Sequence, residues 1–326
     1  MLFDLPHRPR RNRKSASIRS LVAENHLRTE DFILPIFVQE GQGAEEIPSM
    51  PGVYRHGIES VLDFLGKAHD LGIRAVAPFP AIDESLKDSR GSESANPDGL
   101  YPRTIASIKE SFPDIAVFSD VALDPYSSDG HDGIVKNGKI LNDETLEVLA
   151  EMAVAQARAG ADFVAPSDMM DGRVGYIRSR LDNAGFTDTG ILSYCAKYAS
   201  SFYGPFRDAL QSAPKAGDKK TYQMDPANRK EAMREYALDL EEGADMVMVK
   251  PGLPYLDVVH ALSQISDLPV AVYNVSGEYA MLRAASEKGW LDYRSCVLET
   301  LLSMKRAGAD LILSYHAMEV CGWLRE

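Results

Sequence analysis

The chain has 326 residues, 45% of them hydrophobic and 25% charged, so it can bury a large core as one barrel or as two smaller domains. Its 35 Lys and Arg against 48 Asp and Glu give a formal charge of −13, which argues against nucleic acid or an anionic membrane as the main partner. No apolar run approaches the about 20 residues of a spanning helix, and the N-terminal stretch lacks the apolar segment of a signal peptide. We therefore expect a soluble, cytoplasmic protein.

The cysteines support the same expectation. Cys195, Cys296 and Cys321 are odd in number, widely spaced and outside any CxxC pattern. A disulfide framework or a cysteine-based zinc site is therefore not expected, and a reducing compartment fits best.

Residues 1–30 have little hydrophobic periodicity and are predicted to form an arm outside the main core. Their basic residues are Arg8, Arg10, Arg11, Arg13, Lys14, Arg19 and Arg28. Charge blocks usually stay solvated, so a disordered tail is one interpretation. An arm that packs on a neighbouring, acidic subunit is the other.

From Phe32 onward, short apolar runs typical of strands alternate with segments of helical period. The eight runs are ILPIFV, AVAPF, IAVFSDV, FVAPSD, ILSYCAK, MVMVK, VAVYNV and LILSY. Between them, apolar residues recur every three or four positions, as in 61–71 and 146–157. The pattern predicts regular alternation of strand and helix.

A weak internal repeat supports this pattern. DLGIRAVAP, RAGADFVAP, EEGADMVMV and RAGADLILS each end a predicted helix at a glycine, namely Gly72, Gly160, Gly243 and Gly308. Near-continuous apolar strands must be covered on both faces, as in a closed parallel barrel. We therefore predict a (β/α)8 TIM barrel over residues 31–326. A doubly wound open sheet is the alternative, but no GxGxxG follows a strand.

In such a barrel the active site lies at the C-terminal ends of the strands. The polar residues that close the apolar runs are Asp120, Ser167, Asp168, Lys197, Lys250, Ser276 and Tyr315. These residues are the candidates for chemistry.

Two of these candidates are lysines, Lys197 and Lys250. Burial of an unpaired ammonium is costly, so such a lysine is either salt-bridged or uncharged. If the two amines converge, mutual repulsion and desolvation lower both pKa values and leave a neutral amine near pH 7. A neutral amine attacks a ketone to give a Schiff base, and two lysines suggest two carbonyl substrates.

After Lys197 come SSFYGPFRDAL (200–210) and then APKAGDKKTYQM (213–224), a long stretch rich in Gly, Pro and Lys with no clear strand, of the kind that often forms a lid. Arg207, Lys219 and Lys220 would give this lid positive charge suited to a carboxylate. A solvated loop is the alternative.

Several blocks of the chain resemble the porphobilinogen synthase family, also called 5-aminolevulinate dehydratase. They are DVALDPYSSDGHDG (120–133), VAPSDMMDGRVG (164–175), SYCAKYASSFYGPFRDA (193–209), TYQMDPAN (221–228), MVKPGLPYLD (248–257) and VSGEYAM (275–281). The resemblance covers nearly the whole chain. It implies a lyase that condenses two molecules of 5-aminolevulinate to porphobilinogen with loss of two waters, an early step of tetrapyrrole synthesis.

The resemblance also assigns roles to residues. It makes Lys250 the Schiff-base lysine for the substrate that supplies the propionate side, and Lys197 the lysine for the second substrate. The residues implied to hold the first carboxylate are Ser276 and Tyr315, and those for the second are Arg207, Lys219 and Gln223.

The segment that opens with Asp120 is where zinc-dependent members carry three cysteines. Here the corresponding positions are Ala122, Asp124 and Asp132, which resembles the aspartate-rich, zinc-independent branch. Carboxylates suit Mg²⁺ rather than zinc. Asp120, Asp124 and Asp132 are therefore predicted to be catalytic, with proton transfer by Asp132 or Asp124 favoured over direct metal ligation.

The family's magnesium-activated members bind an allosteric ion at a subunit contact. The resemblance places Glu235 as its ligand here, with Asp168 and Arg173 around it, although a solvated helix glutamate is the alternative. Members assemble as dimers and larger rings, usually homo-octamers, in which the arm embraces a neighbour.

One position departs from the family pattern: Asp129 stands where many members carry a histidine, which leaves the local metal preference open. A class I aldolase is another Schiff-base barrel enzyme, but no clear phosphate loop follows the last strands. A barrel that has lost catalysis is also disfavoured, because the polar set at the strand ends is intact.

Overall fold

The computed structural model describes residues 5–326 and confirms the predicted TIM barrel. The strands are β1 (Phe32–Gln39), β2 (Ala44–Glu46), β3 (Tyr54–His56), β4 (Ala75–Ala81), β5 (Ala116–Val121), β6 (Ile134–Lys136), β7 (Lys139–Leu141), β8 (Phe163–Pro166), β9 (Gly190–Lys197), β10 (Met246–Lys250), β11 (Val270–Asn274) and β12 (Leu311–Ser314). Eight of them pair in parallel in the order β1-β4-β5-β8-β9-β10-β11-β12, and β12 pairs back with β1. These eight are the predicted runs.

Helices surround the barrel. They are α1 (Ala16–Leu21), α2 (Ile58–Asp70), α3 (Leu100–Ser111), α4 (Asn142–Arg158), α5 (Arg173–Asn183), α6 (Gly204–Leu210), α7 (Lys230–Glu241), α8 (Leu256–Ser263), α9 (Ser276–Glu287), α10 (Tyr293–Ala307) and α11 (Ala317–Trp323). In α2, for example, Val61, Leu65 and Ala68 form the buried stripe that the helical period predicts.

Along each barrel strand, successive side chains alternate between two apolar clusters. Inward-facing residues such as Phe37, Phe79 and Met248 fill the barrel. Outward-facing residues such as Ile36 and Val249 pack beneath the helices. Burial on both faces explains why the strands read as continuous apolar runs.

The repeated Gly-Ala-Asp sequence has a structural cause. Gly160, Gly243 and Gly308 have φ angles of 104°, 98° and 109°, a left-handed conformation that favours glycine. The aspartate two residues later accepts a hydrogen bond from the first backbone amides of a neighbouring strand. These bonds are Val117 N to Asp162 (2.8 Å), Ile191 N to Asp245 (2.7 Å) and Val270 N to Asp310 (2.8 Å). The motif thus joins adjacent strands at the N-terminal end of the barrel.

The described part of the predicted arm, residues 5–30, lies outside the barrel and contains a short helical turn, Pro9–Arg13, followed by α1. No side chain within this part is buried, and Leu21 is 80% exposed. Residues 1–4 of the arm lie outside the described residues. The contact of the arm with a neighbouring subunit stays a prediction.

None of the helices in residues 5–326 is both long enough and apolar enough to cross a membrane.

Candidate active site

The two lysines are brought together by strand register. Lys250 ends β10 and pairs with Lys197, the last residue of β9. Between Val247 and Val249 the register shifts, so that β9 contains one residue more than β10 over the same length. This bulge reverses the alternation in β9. Ser193 therefore faces the helices, where its hydroxyl contacts Asp239, whereas Lys197 four residues later lies with Lys250 at the barrel mouth.

The amine of Lys250 is buried among aromatic rings. Its Nζ lies 4.5 Å from the ring centre of Tyr273, 4.8 Å from Phe206, 5.3 Å from Tyr203 and 5.4 Å from Tyr194. Burial and the nearby charge of Lys197 lower the pKa of Lys250 to about 7, although acidic groups oppose the shift. Those acidic groups are Asp120, Asp124 and Asp132. A substantial fraction of this amine is therefore neutral at physiological pH.

Lys197 has polar partners instead. Its Nζ donates a hydrogen bond to the Ser167 carbonyl oxygen and lies 3.5 Å from the nearer carboxylate oxygen of Asp132. The two lysines thus share the barrel mouth in different surroundings, one aromatic and one polar.

Three groups predicted from the sequence form a buried ionic cluster beside Lys197. Lys219 Nζ donates to Asp124 at 3.1 Å and to Asp132 at 2.9 Å. Burial would raise the pKa of Asp132, but the ammonium groups of Lys197 and Lys219 outweigh it and hold this pKa below its ordinary value. Burial raises the pKa of Asp124 despite Lys219. Asp132 is therefore the ionised member of the pair, whereas Asp124, with the higher pKa, is the stronger base once it is ionised.

Asp120 is the third buried carboxyl group. Burial raises its pKa to about 6, although Lys197 and Lys250 oppose the rise. Its backbone is fixed from two sides, because its amide donates to the Tyr101 hydroxyl (2.8 Å) and its carbonyl accepts from Gln156 (2.8 Å). A carboxyl group with this pKa can take up and release protons near neutrality.

The predicted lid covers this end of the barrel and contains α6. Residues that line the small cavity beneath it are Asp120, Asp124, Ser167, Lys197, Tyr203, Phe206, Arg207, Lys219, Gln223 and Lys250. The side-chain oxygen of Gln223 is buried in the described structure without a hydrogen-bond partner. Lys220 instead points to solvent, with its side chain 74% exposed, and pairs with Asp218.

One histidine fastens the lid to the segment that carries Asp132. The His131 ring lies 3.0 Å from the Tyr222 hydroxyl and 2.9 Å from the Ala216 carbonyl oxygen, and both of these groups belong to the lid. The Asp132 amide also donates to the Tyr222 hydroxyl, at 3.3 Å. Lid position and Asp132 position are therefore linked.

Ser276 and Tyr315, predicted to hold the first carboxylate, flank the aromatic surroundings of Lys250. The Ser276 hydroxyl accepts a hydrogen bond from the Phe206 amide at 3.0 Å, and the hydroxyls of Tyr315 and Tyr273 lie 2.8 Å apart. Each of them therefore contacts a residue whose ring lies against Lys250: Ser276 contacts the backbone of Phe206, and Tyr315 contacts the hydroxyl of Tyr273.

The predicted metal residues lie on the outer side of β9. Arg173 is buried and forms a double hydrogen bond with Asp239, at 3.3 and 3.2 Å, and its Nε is 3.9 Å from Asp168. Burial raises the pKa of Asp168 to about 7 against the effect of Arg173. Glu235, four residues before Asp239 on α7, lines an outer groove with Arg173. Arg173 thus lies next to each of the other two predicted residues.

The carboxylates around Glu235 fit a hydrated cation. Burial raises the pKa of Glu235, Arg173 opposes the rise, and Asp239 and Asp171 add to it. Mg²⁺ keeps several waters and needs only one or two carboxylates. Within residues 5–326 no group of three or more His, Cys, Asp or Glu side chains could enclose a metal ion by itself. A divalent ion at Glu235 would therefore keep most of its waters.

Asp129 lies farther from the chemistry than the sequence suggested. It lines the outer groove between the β6–β7 hairpin and the lid, together with His131, and is absent from the lining of the cavity at the lysines. Its backbone carbonyl accepts a hydrogen bond from the Lys215 amide at 3.1 Å. Its main contact is with the lid backbone.

The sequence did not reveal several residues of the site. These are the rings Tyr194, Tyr203, Phe206 and Tyr273, the lid contacts His131 and Tyr222, and the buried carboxylates Asp239 and Glu278. Tyr194 and Tyr273 lie within predicted strands at inward-facing positions. The strand alternation could have indicated them.

Comparison with known proteins gives a consistent result. Residues 6–323 match the family Delta-aminolevulinic acid dehydratase. The chloroplastic delta-aminolevulinic acid dehydratase of Physcomitrium patens is 55% identical over 325 residues, 98% of this chain and 74% of that protein. The enzyme of that name from Chlamydia pneumoniae is 52% identical over 314 residues, 96% of this chain and 95% of its own.

A solved structure agrees as well. The delta-aminolevulinic acid dehydratase (porphobilinogen synthase) of Toxoplasma gondii, determined in complex with the reaction product porphobilinogen, superposes with a TM-score of 0.98. It is 54% identical in sequence, and the match covers 99% of this chain and 92% of that one.

Proposed function

The chain belongs to the delta-aminolevulinic acid dehydratase family and is a lyase that condenses two molecules of 5-aminolevulinate to porphobilinogen, and we propose that it does so through Schiff bases at Lys250 and Lys197. The observation that carries this proposal is the register pairing of the two lysines at the barrel mouth, with the pKa of Lys250 lowered to about 7.

The neutral amine of Lys250 attacks the ketone of the first substrate, and loss of one water gives an imine. The aromatic rings around it exclude water and favour the uncharged amine. Ser276 and Tyr315, on both sides of these rings, bind this substrate's carboxylate. The imine withdraws electrons from the adjacent carbon, so a proton can be removed there and a C–C bond can form.

The second substrate binds on the polar side of the cavity, at Lys197. Its carboxylate meets the positive charge of Arg207 and Lys219 and the N–H groups of the Gln223 amide. Asp120, with a pKa of about 6, takes up and returns protons near neutrality, and the ionised Asp132 stabilises positive charge on the Lys197 nitrogen. Because Lys219 bridges Asp124 and Asp132, it already supplies the positive charge that zinc would supply in a cysteine site.

The proposal is tested by incubation with 5-aminolevulinate and an assay for the pyrrole. We expect product from the parent enzyme, nearly none from Lys250→Ala, and a strong loss for Lys197→Ala. Borohydride reduction with substrate present should add mass at Lys250. Full activity of Lys250→Ala would contradict the mechanism.

We further propose that Mg²⁺, rather than zinc, binds as an allosteric or activating ion at Glu235, with Arg173 and Asp168 nearby. A bound ion would offset the carboxylate charge that raises the pKa of Glu235. A magnesium titration checks this: chelation should lower activity partially or not at all, Mg²⁺ should restore any loss, and Glu235→Gln should not respond. Strong dependence on zinc would contradict the proposal.

We also propose that the chain forms a homo-oligomer, as an octamer, and works in the cytoplasm. Support for the oligomer comes from the exposed basic arm on an acidic chain. Support for a reducing compartment comes from Cys195, Cys296 and Cys321, which are all free. Mass photometry and fractionation of the source cells would test the two proposals.

A further inference from the structure

Glu278 has no role in the chemistry above, yet its carboxylate is completely buried beside the active site. It accepts hydrogen bonds from three backbone amides. Two of them, Gly252 at 3.2 Å and Leu253 at 2.7 Å, belong to the loop directly after Lys250. The third, Val275 at 2.8 Å, directly precedes Ser276 at the start of α9. One side chain thus fixes the backbone behind two proposed substrate-binding residues.

The polar contacts continue to the next strand. The Asn274 amide group lies 3.4 Å from Glu278, and the Ser314 hydroxyl donates to the Asn274 side-chain oxygen at 3.0 Å. The Ser314 hydroxyl in turn accepts from the His316 amide at 3.2 Å. This series of hydrogen bonds therefore reaches Ser314 and His316, the residues directly before and after Tyr315.

The loop after Lys250 is shaped to receive this carboxylate. A Cβ atom at Gly252 would lie 2.6 Å from Met304, 3.2 Å from the Tyr273 carbonyl oxygen and 3.3 Å from Glu278. Glycine therefore permits the close approach of backbone and carboxylate. Burial raises the pKa of Glu278 against the effect of the amides of Leu253, Val275 and Gly252. A carboxyl group is retained here at an energetic cost, which indicates a specific task.

We infer that Glu278 is the positioning residue for the first-substrate half of the site, which holds Lys250, Ser276 and Tyr315 in register by fixing the backbone beside each of them. This inference rests on the proposed roles of those three residues. Catalysis is sensitive to such positioning, because a displacement of about 1 Å can cost about 100-fold in rate.

The experiment compares Glu278→Gln with the parent by borohydride trapping of 5-aminolevulinate at Lys250 across pH. Glutamine keeps the size but turns an N–H group toward backbone donors. We expect the loop to loosen and water to reach Lys250, so that the pH midpoint of trapping rises by about one unit. kcat/KM should fall by about 100-fold at neutral pH, with partial recovery at higher pH.

The matched control is Asp310→Asn. Asp310 also accepts a hydrogen bond from a backbone amide of β11, that of Val270 at 2.8 Å, but at the opposite end of the strand. We expect this variant to lose stability without a change in the trapping midpoint. If Glu278→Gln lowers stability and activity but, like Asp310→Asn, leaves the pH midpoint of trapping unchanged, the role of Glu278 is structural and the inference is overturned.

A second variant serves if Glu278→Gln does not fold. Glu278→Asp keeps the charge but withdraws the carboxylate from Gly252 and Leu253, so the midpoint should rise to a smaller extent. An unchanged midpoint and kcat/KM in this folded variant would also overturn the inference. If the parent itself is not trapped at Lys250, the proposed Schiff-base role fails, and the positioning role fails with it. Trapping of the parent without an effect in either variant refutes the positioning role alone.

Discussion

At the scale of single residues, the two lysines of the site differ in their surroundings. Lys250 lies buried among four aromatic rings, whereas Lys197 donates to the Ser167 carbonyl oxygen and lies near Asp132. Desolvation disfavours the charged amine in the first environment. In the proposed mechanism, the partly neutral amine of Lys250 is therefore ready to attack a ketone.

Two charges near Lys250 shift its pKa in opposite directions, so their removal should also have opposite effects. The charge of Lys197 lowers the pKa of Lys250, and that of Asp120 raises it. Lys197→Met should therefore move the midpoint of borohydride trapping at Lys250 above about 7, and Asp120→Asn should move it lower. In each case the amine is protonated below the midpoint and reacts above it.

Trapping followed by mass spectrometry across pH measures these shifts. Lys109→Met is the control, because Lys109 pairs with Asp162 at the far end of the barrel. Equal midpoints in the parent and in both active-site variants would show that these charges do not set the pKa of Lys250.

At the scale of elements, the site depends on a bulge and a lid. The extra residue in β9 turns Lys197 to the side of Lys250, and it also leaves Ser193 on the outer side with Arg173 and Asp239. The same strand therefore connects the proposed metal region to the reacting lysine. A substitution that removes the bulge would turn either Ser193 or Lys197 to the opposite face of β9.

The lid gives the second prediction. In His131→Phe the ring volume remains, but the contacts with Tyr222 and the Ala216 carbonyl oxygen are lost. We expect the lid to open more often, so that KM rises several-fold and proteolysis within 211–221 becomes faster. Lys220→Ala, which changes only an exposed lid side chain, should behave like the parent. Unchanged proteolysis in His131→Phe would refute the fastening role.

The elements also show what the sequence could and could not predict. Apolar runs predicted the eight barrel strands, and polar residues at their ends predicted Lys197 and Lys250, because burial and strand ends leave local patterns. The β9 bulge leaves no such pattern, since it appears only when β9 is paired with β10. The lid rings and Glu278 were missed because important partners lie far away in the sequence: Leu253 is 25 residues from Glu278, and Ser276 is 70 residues from Phe206.

At the scale of the whole molecule, the Gly-Ala-Asp repeat joins neighbouring strands at the end of the barrel opposite the active site. The exposed Asp245 side chain accepts a hydrogen bond from the Ile191 amide at 2.7 Å. Asp245→Ala should lower the free energy of unfolding by about 1 kcal/mol, because one hydrogen bond is lost where water can replace it. Denaturant unfolding measures this change. kcat/KM should stay unchanged, and a large loss of activity in the folded variant would contradict this division between the two ends of the barrel.

The charge distribution gives the last prediction, which concerns assembly. The described arm carries exposed basic residues such as Arg10, Arg11 and Arg13 and the exposed apolar Leu21, whereas the whole chain has a net charge of −13. An arm of this charge is attracted to the acidic surface of another copy, and salt screens that attraction over about 10 Å at 0.1 M. Replacement of the three arginines by glutamate should therefore shift the mass distribution toward smaller assemblies, and high salt should do the same to the parent. Mass photometry measures both effects, and a triple variant with Lys136→Glu, Lys139→Glu and Lys288→Glu, all at exposed positions outside the arm, controls for the same change in net charge. If the triple arginine variant keeps the parent's distribution at low and high salt, the arm does not hold the subunits together.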